Sequence, residues 1–197
     1  MNFAMPQLIP RHEALARIIA EGGSPVCLMC AIRDHKVGDT HVIHEDDEML
    51  VTLPRYVRRW GHVMVMPKQH LTAFSAMDPS SYLRMSMLSF HCSRMVERIQ
   101  KPRRVYVAST GSSAGEITQS SEHLHVHVIP LYDVDDKPSS IFSWAEGVYV
   151  AEREEWEELR SAFSAALKAE MESMPVRQGA FGKTTDGLCS NGSPAGS

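Results

Sequence analysis

"HLHVHVIPLY", residues 123–132, is the stretch that decides how this chain folds. His123, His125 and His127 alternate with Leu124, Val126 and Val128, and Pro130 follows. In an extended strand, side chains two apart share a face, at about 6–7 Å from one to the next. The alternation predicts a strand with imidazoles on one side and an apolar face on the other. One histidine on such a strand is ordinarily a polar surface residue, but three in strict alternation point to chemistry. Imidazole binds metals such as zinc, and it acts as nucleophile or general acid–base near neutral pH. Nucleophilic work requires a neutral ring, with one nitrogen free and the other held by a hydrogen bond that sets the tautomer. Just upstream, "STGSSAGEITQSS" (109–121) offers the small residues that let backbone N–H groups approach an anion. Beside such a loop, a phosphate-containing substrate follows more naturally than a carboxylic ester.

The surrounding sequence predicts an α+β domain. "HVIHEDD", "EMLVTLP", "GHVMVMP" and "RRVYVAST" are short strands separated by acidic or proline-marked turns. Asp78 before Pro79 starts a helix, and Met85, Leu88, Cys92, Met95 and Ile99 recur along it at helical spacing until Lys101-Pro102. A second amphipathic helix uses Trp156, Leu159, Phe163 and Leu167. An N-terminal helix over "RHEALARIIA" carries Leu15, Ile18 and Ile19 and ends at Gly22-Gly23. The aromatic residues Trp144, Trp156 and Phe163 are expected to pack this C-terminal part onto the sheet. The Gly/Ser/Thr-rich end, 175–197, is expected to be disordered.

The 197 residues suit one domain with extensions, and 43% apolar against 22% charged residues is a globular balance. A net charge of −4 gives no general attraction for nucleic acid or anionic membrane, so any phosphate binding has to be local. No stretch reaches transmembrane length and no signal peptide is read at the N-terminus, so a reduced, cytoplasmic setting is expected. There Cys27-x-x-Cys30 has a metal or a redox role rather than a disulfide.

"HLHVHVI" fits His-φ-His-φ-His-φ-φ (φ apolar), and with "CLMCAI", "GHVMVMPKQHLTAF" and "STGSSAG" in order it resembles the histidine triad (HIT) superfamily. The resemblance covers roughly residues 25–132 and implies a HIT-like fold: an antiparallel sheet of about five strands, a long helix and a second, C-terminal helix. It places a HIT domain at 25–135, between an N-terminal helical extension (1–24) and a C-terminal one (136–174). It implies that His125 attacks an α-phosphorus, that His127 and His62 lie at the phosphates, and that Gln119 and Ser120 contact phosphate or leaving group. Ser109 stands where many members have an asparagine, and Pro54 where a ribose-binding residue often lies. Ser109 is taken with Gln119 and Ser120 as phosphate-binding. Zinc-containing members complete a Cys-x-x-Cys pair with two histidines, which map to His70 and His123. A structural Zn2+ on Cys27, Cys30, His70 and His123 is therefore implied, with His91 or His44 as substitutes for a histidine ligand.

The resemblance also implies a homodimer and a nucleotide substrate. The leading function is hydrolysis of dinucleoside polyphosphates or nucleoside phosphoramidates through a nucleotidyl-histidine. A nucleotidyltransferase or phosphorylase, or a non-catalytic nucleotide-binding module, is the alternative. Arg55, Arg58 and Arg59 read as solvated surface residues, with a polyphosphate contact as the other reading.

Overall fold

The computed structural model describes residues 6–20, 27–37, 40–109 and 122–174. Gln119, Ser120, Cys189 and the 175–197 tail lie outside the described residues. The chain runs β1 (Gln7–Ile9), α1 (Arg11–Ala20), α2 (Leu28–Arg33), β2 (His41–Glu45), β3 (Met49–Leu53) and β4 (Val63–Pro67). A single 3-10 turn then leads into α3 (Pro79–Gln100), β5 (Arg104–Ala108), β6 (Val126–Leu131), α4 (Pro138–Ser143), β7 (Val148–Val150) and α5 (Arg153–Ser173). Strands β2-β3-β4-β6-β5 form one antiparallel five-stranded sheet, as the sequence leads one to expect.

Alternation sorts the sheet into two unlike faces. Val51, Leu53, Val63, Val65, Val126 and Val128 point to one side, where α3 brings Met85, Leu88, Cys92 and Met95, and α5 brings Trp156, Leu159, Phe163 and Leu167. The Asp78 carboxylate starts α3 by accepting from the N–H groups of Ser80 and Ser81, both at 3.0 Å, with Pro79 in the first turn. A reciprocal Glu152–Glu155 capping box starts α5. The opposite face carries two small helices instead. Met29 of α2 packs on Leu50, Met64 and Met66, and Ile141 of α4 packs on Ile129 and Leu131. Between those two apolar clusters lies the side of the sheet that bears the histidines.

Three features differ from expectation. The ladder of β6 begins only at Val126, so His123 and His125 precede the strand proper. They keep the alternating geometry because Leu124 N–H donates to the Leu71 carbonyl at 2.6 Å. Trp156 and Phe163 pack on the sheet, but Trp144 joins a separate cluster with Ile9, Ala14 and Val148. That cluster is tied by a second, two-stranded sheet of β1 and β7, which pairs residues near both ends of the described chain. In α1 it is Ala14 that is buried, while Ile19 is 69% exposed. No helix among the described residues is long and apolar enough to cross a membrane.

Candidate active site and metal centre

Gly61 turns the chain into β4 with a φ of 88°, and a Cβ there would stand 2.9 Å from Cγ of Gln100. Glycine meets both demands. The turn delivers His62 to the start of β4, where the next-but-one residue, Met64, pairs with His127 of β6. His62, His123, His125 and His127 are all buried.

Their hydrogen bonds assign the tautomers, because a carbonyl oxygen only accepts. Nδ1 of His125 lies 2.7 Å from the carbonyl oxygen of His123 and so carries the proton. Its Nε2 is then a lone pair, 3.1 Å from Nε2 of His127, which must donate. Nδ1 of His127 in turn accepts from Nε2 of His62 at 2.9 Å. That leaves Nδ1 of His62 bare; it is buried and has no hydrogen-bond partner among the described residues. This order of donors holds with all three rings neutral. Burial supplies that condition by disfavouring the charged form: it holds His62 and His127 well below the ordinary imidazole range, and the Arg58 charge pushes both the same way. His125 is also lowered by burial and by Arg58, against the opposing bond to the His123 carbonyl. The arrangement presents one in-plane lone pair, on Nε2 of His125, beside a donor on His127.

At the other end of the wall, Nε2 of His123 donates to the Pro67 carbonyl at 2.7 Å, which frees Nδ1 as a lone pair. Nδ1 lies 3.4 Å from Cys30 Sγ and 3.7 Å from Cys27 Sγ, and His70 Nδ1 lies 3.3 Å from Cys30 Sγ. The four ligand atoms all fall within 4.8 Å of one another. A tetrahedron with ordinary Zn–S and Zn–N bonds has edges of about 3.3–3.8 Å, so these residues fit zinc. Cys27 caps α2, its sulfur accepting from Cys30 N–H at 3.4 Å, which turns both sulfurs to one point. Burial and the Cys27 side chain push the Cys30 thiol up, and a bound dication is what allows adjacent thiols to ionise. His91 lies on the buried side of α3 and His44 pairs with Asp46 at 3.3 Å; neither joins the cluster. Ser109 follows Ala108, the partner of His127 in the β5–β6 ladder, and lines a cleft between β5 and α3.

The arginines differ from their surface reading. Arg59 is 8% exposed and Asp136 is 6% exposed, with Arg59 Nε donating to the Asp136 carboxylate at 3.1 Å. Its Nη2 donates to the same carboxylate and, at 2.6 Å, to Glu146. Arg58 is half-buried, its guanidinium over the rings of Phe142 and Trp144 at 5.1 and 5.7 Å from their centres.

An antiparallel sheet with buried histidines on one face and a Cys2His2 cluster at the end of that row defines a small α+β protein of the histidine triad class. The HIT domain profile matches residues 35–134, about half of the chain, and the protein belongs to the HIT domain family. A 16.1 kDa HIT-like protein of Mycoplasma pneumoniae is 29% identical over 108 residues, which cover 54% of this chain and 72% of the relative. A 13.1 kDa HIT-like protein of Mesomycoplasma hyorhinis is 30% identical over 93 residues, 46% of this chain and 80% of the relative. Among solved structures, a zinc-bound histidine triad family protein of Mycobacterium smegmatis superposes with a TM-score of 0.58 at 22% identity. The superposition covers 75% of this chain and 97% of that one. A hypothetical histidine triad nucleotide-binding protein of Sulfolobus tokodaii gives 0.58 at 21% identity, over 77% and 98% of the two chains. These likenesses establish the fold.

Proposed function

We propose that the protein is a nucleotide hydrolase that acts at the α-phosphate of dinucleoside polyphosphates or nucleoside phosphoramidates. The observation that carries this reading is the tautomer of His125, whose Nδ1–H is spent on the His123 carbonyl and whose Nε2 lone pair attacks once the His127 N–H turns from it to a phosphoryl oxygen. Nε2 forms a bond to the α-phosphorus while the bond from phosphorus to the leaving group breaks, its electron pair departing with that group. Water then attacks the nucleotidyl-histidine, the P–N bond breaks, the pair returns to Nε2 and the water proton passes to solvent. His62 donates to His127 and sets its tautomer, and the one N–H of His127, on Nε2, passes from His125 to a phosphoryl oxygen as substrate binds. Ser109, with Gln119 and Ser120, is assigned to phosphate binding. Family membership and the nucleotide-binding description of the Sulfolobus tokodaii protein support the substrate class. His125→Ala should abolish turnover and leave the melting temperature close to wild type. Retained turnover in that variant would sink the mechanism. Added inorganic phosphate should leave the product spectrum unchanged; a phosphorylated product would assign a phosphorylase instead.

Zinc on Cys27, Cys30, His70 and His123 is assigned a structural role, since four protein ligands leave no position for a reacting water. The zinc-bound Mycobacterium smegmatis relative supports it. Residues 25–135 are taken as the HIT domain and 1–24 and 136–174 as its extensions. A homodimer is assigned through the edge strand β5 and α3, where Val107, Tyr82 and Phe90 are exposed around a cleft of about 490 Å³.

A further inference from the structure

We propose that Arg58 is the anion-binding residue that selects substrates whose leaving group carries phosphate, and that Phe142 and Trp144 of the C-terminal extension hold it in place. The inference rests on the phosphate-site reading of the histidines and narrows it to polyphosphate substrates over phosphoramidates.

The hydrogen-bond chain of the histidine wall, from His62 through His127 to His125, contains no Lys or Arg side chain. Attack at an α-phosphorus expels two very different kinds of leaving group. A phosphoramidate releases an amine, which has to be given a proton and is not helped by a nearby cation. A dinucleoside polyphosphate releases a nucleotide or polyphosphate anion as the P–O bond breaks, and the departing electron pair adds charge to an oxygen already beside other phosphates. A fixed cation against the wall stabilises the second and not the first.

Arg58 is that cation. Its guanidinium faces the Phe142 ring at 5.1 Å, and the same Phe142 ring stands 5.5 Å from the ring of His127. His127 in turn reaches the attacking nitrogen of His125 at 3.1 Å. The Arg58 charge disfavours a second positive charge on His62 and His127. Burial pushes its own pKa down to about 10, which still leaves it positive at neutral pH. The neighbouring Arg59 is not available for this role, since Asp136 and Glu146 occupy it.

Two further observations favour a ligand over a purely structural role. Nη1 of Arg58 is buried and has no hydrogen-bond partner among the described residues, whereas a structural guanidinium normally satisfies its donors. Trp144, the second ring over Arg58, sits at a φ of 59°, in the left-handed region that bulky residues avoid. Such backbone persists where the surroundings over-determine it, and here Ile9, Val148 and the Gly147 N–H bond to the Trp144 carbonyl at 3.0 Å do so.

The test compares wild type with Arg58→Met and Arg58→Lys, each checked by thermal melting. Calorimetry measures binding of inorganic tripolyphosphate and of AMP, and kinetics measures a dinucleoside tetraphosphate against a phosphoramidate. Loss of a charged hydrogen-bond donor should weaken tripolyphosphate binding and lower kcat/KM for the tetraphosphate by roughly 10- to 100-fold in the Met variant. AMP binding and phosphoramidate turnover should change by less than about 3-fold, and Lys should restore part of the loss through its charge alone. Equal losses on both substrates, or unaltered tripolyphosphate binding, would overturn the assignment. If wild type turns over neither substrate the hydrolase reading fails, and the tripolyphosphate titration still decides Arg58. Should Arg58→Met fail to fold, the Lys variant decides: tripolyphosphate binding unaltered relative to AMP binding, and tetraphosphate turnover unaltered relative to phosphoramidate turnover, would overturn the proposal.

Discussion

The backbone carbonyl of His123 accepts the Nδ1 proton of His125 at 2.7 Å, while the ring of His123 itself faces Cys27 and Cys30. One residue thus joins the cysteine cluster to the proposed nucleophile. Whatever fixes the His123 ring also fixes the carbonyl that sets the His125 tautomer.

The metal should therefore matter to both stability and turnover, without touching substrate. Purified protein should contain about one zinc per chain by elemental analysis. Cys30→Ser should lower zinc content, melting temperature and kcat together, as should prolonged chelation. Full activity in a zinc-free preparation with an unchanged melting curve would separate the two sites.

Acid should inactivate and destabilise the protein in the same window. Unfolded histidines take up protons near 6.5, whereas buried His62, His125 and His127 do so only at lower pH. Between those values the unfolded chain binds more protons, so stability is fully present above 6.5 and falls as pH drops through the folded pKa values. The acid limb of kcat/KM should lie below 6.5 for the same reason. A limb above 7 would show that the free nitrogen on His125 is more basic than its burial allows.

Arg59→Met should destabilise strongly, because it strands the buried Asp136 carboxylate that also accepts from the N–H groups of Tyr132 and Asp133. Removing one member of a buried pair costs about 3–5 kcal/mol. Denaturant melts of Arg59→Met and Asp136→Asn measure it; a loss under about 1 kcal/mol in both would place the pair among weak surface bridges.

Gly147→Ala tests the two-stranded sheet. A Cβ at this position, where φ is 93°, would stand 2.4 Å from the carbonyl oxygen of Ile9. The substitution should separate β1 from β7 and cost about 1–3 kcal/mol. Hydrogen exchange should quicken at Val148 and Val150 first, with the five-stranded sheet protected. Uniform loss of protection would make the small sheet integral to the main core.

Much of this fold could be read from local pattern. Met85, Leu88, Cys92 and Met95 lie on the buried stripe of α3, and Val63 and Val65 alternate into the core of β4. The cluster of Cys27, Cys30, His70 and His123 follows from the motif resemblance, and the described residues bring those four ligand atoms together. What escaped was set by distant contacts. Strand β1 has three residues, too few to show a period, and exists because Gln7 and Ile9 meet Val150 and Val148. Arg58 and Arg59 read as surface charges because nothing nearby in sequence tells of Phe142, Asp136 or Trp144 folding over them. Trp144 looked like a core aromatic and became part of that cover.

The most direct measurement is intact-mass spectrometry at neutral pH after brief mixing with a dinucleoside polyphosphate, on wild type and His125→Ala. Wild type should gain the mass of one nucleotidyl group, mapped to His125 in the peptide containing "HLHVHVI", and the variant should gain none. Rapid product release with no adduct trapped on wild type even on quenching in base, or an adduct of equal yield in His125→Ala, would contradict nucleophilic attack by Nε2 of His125.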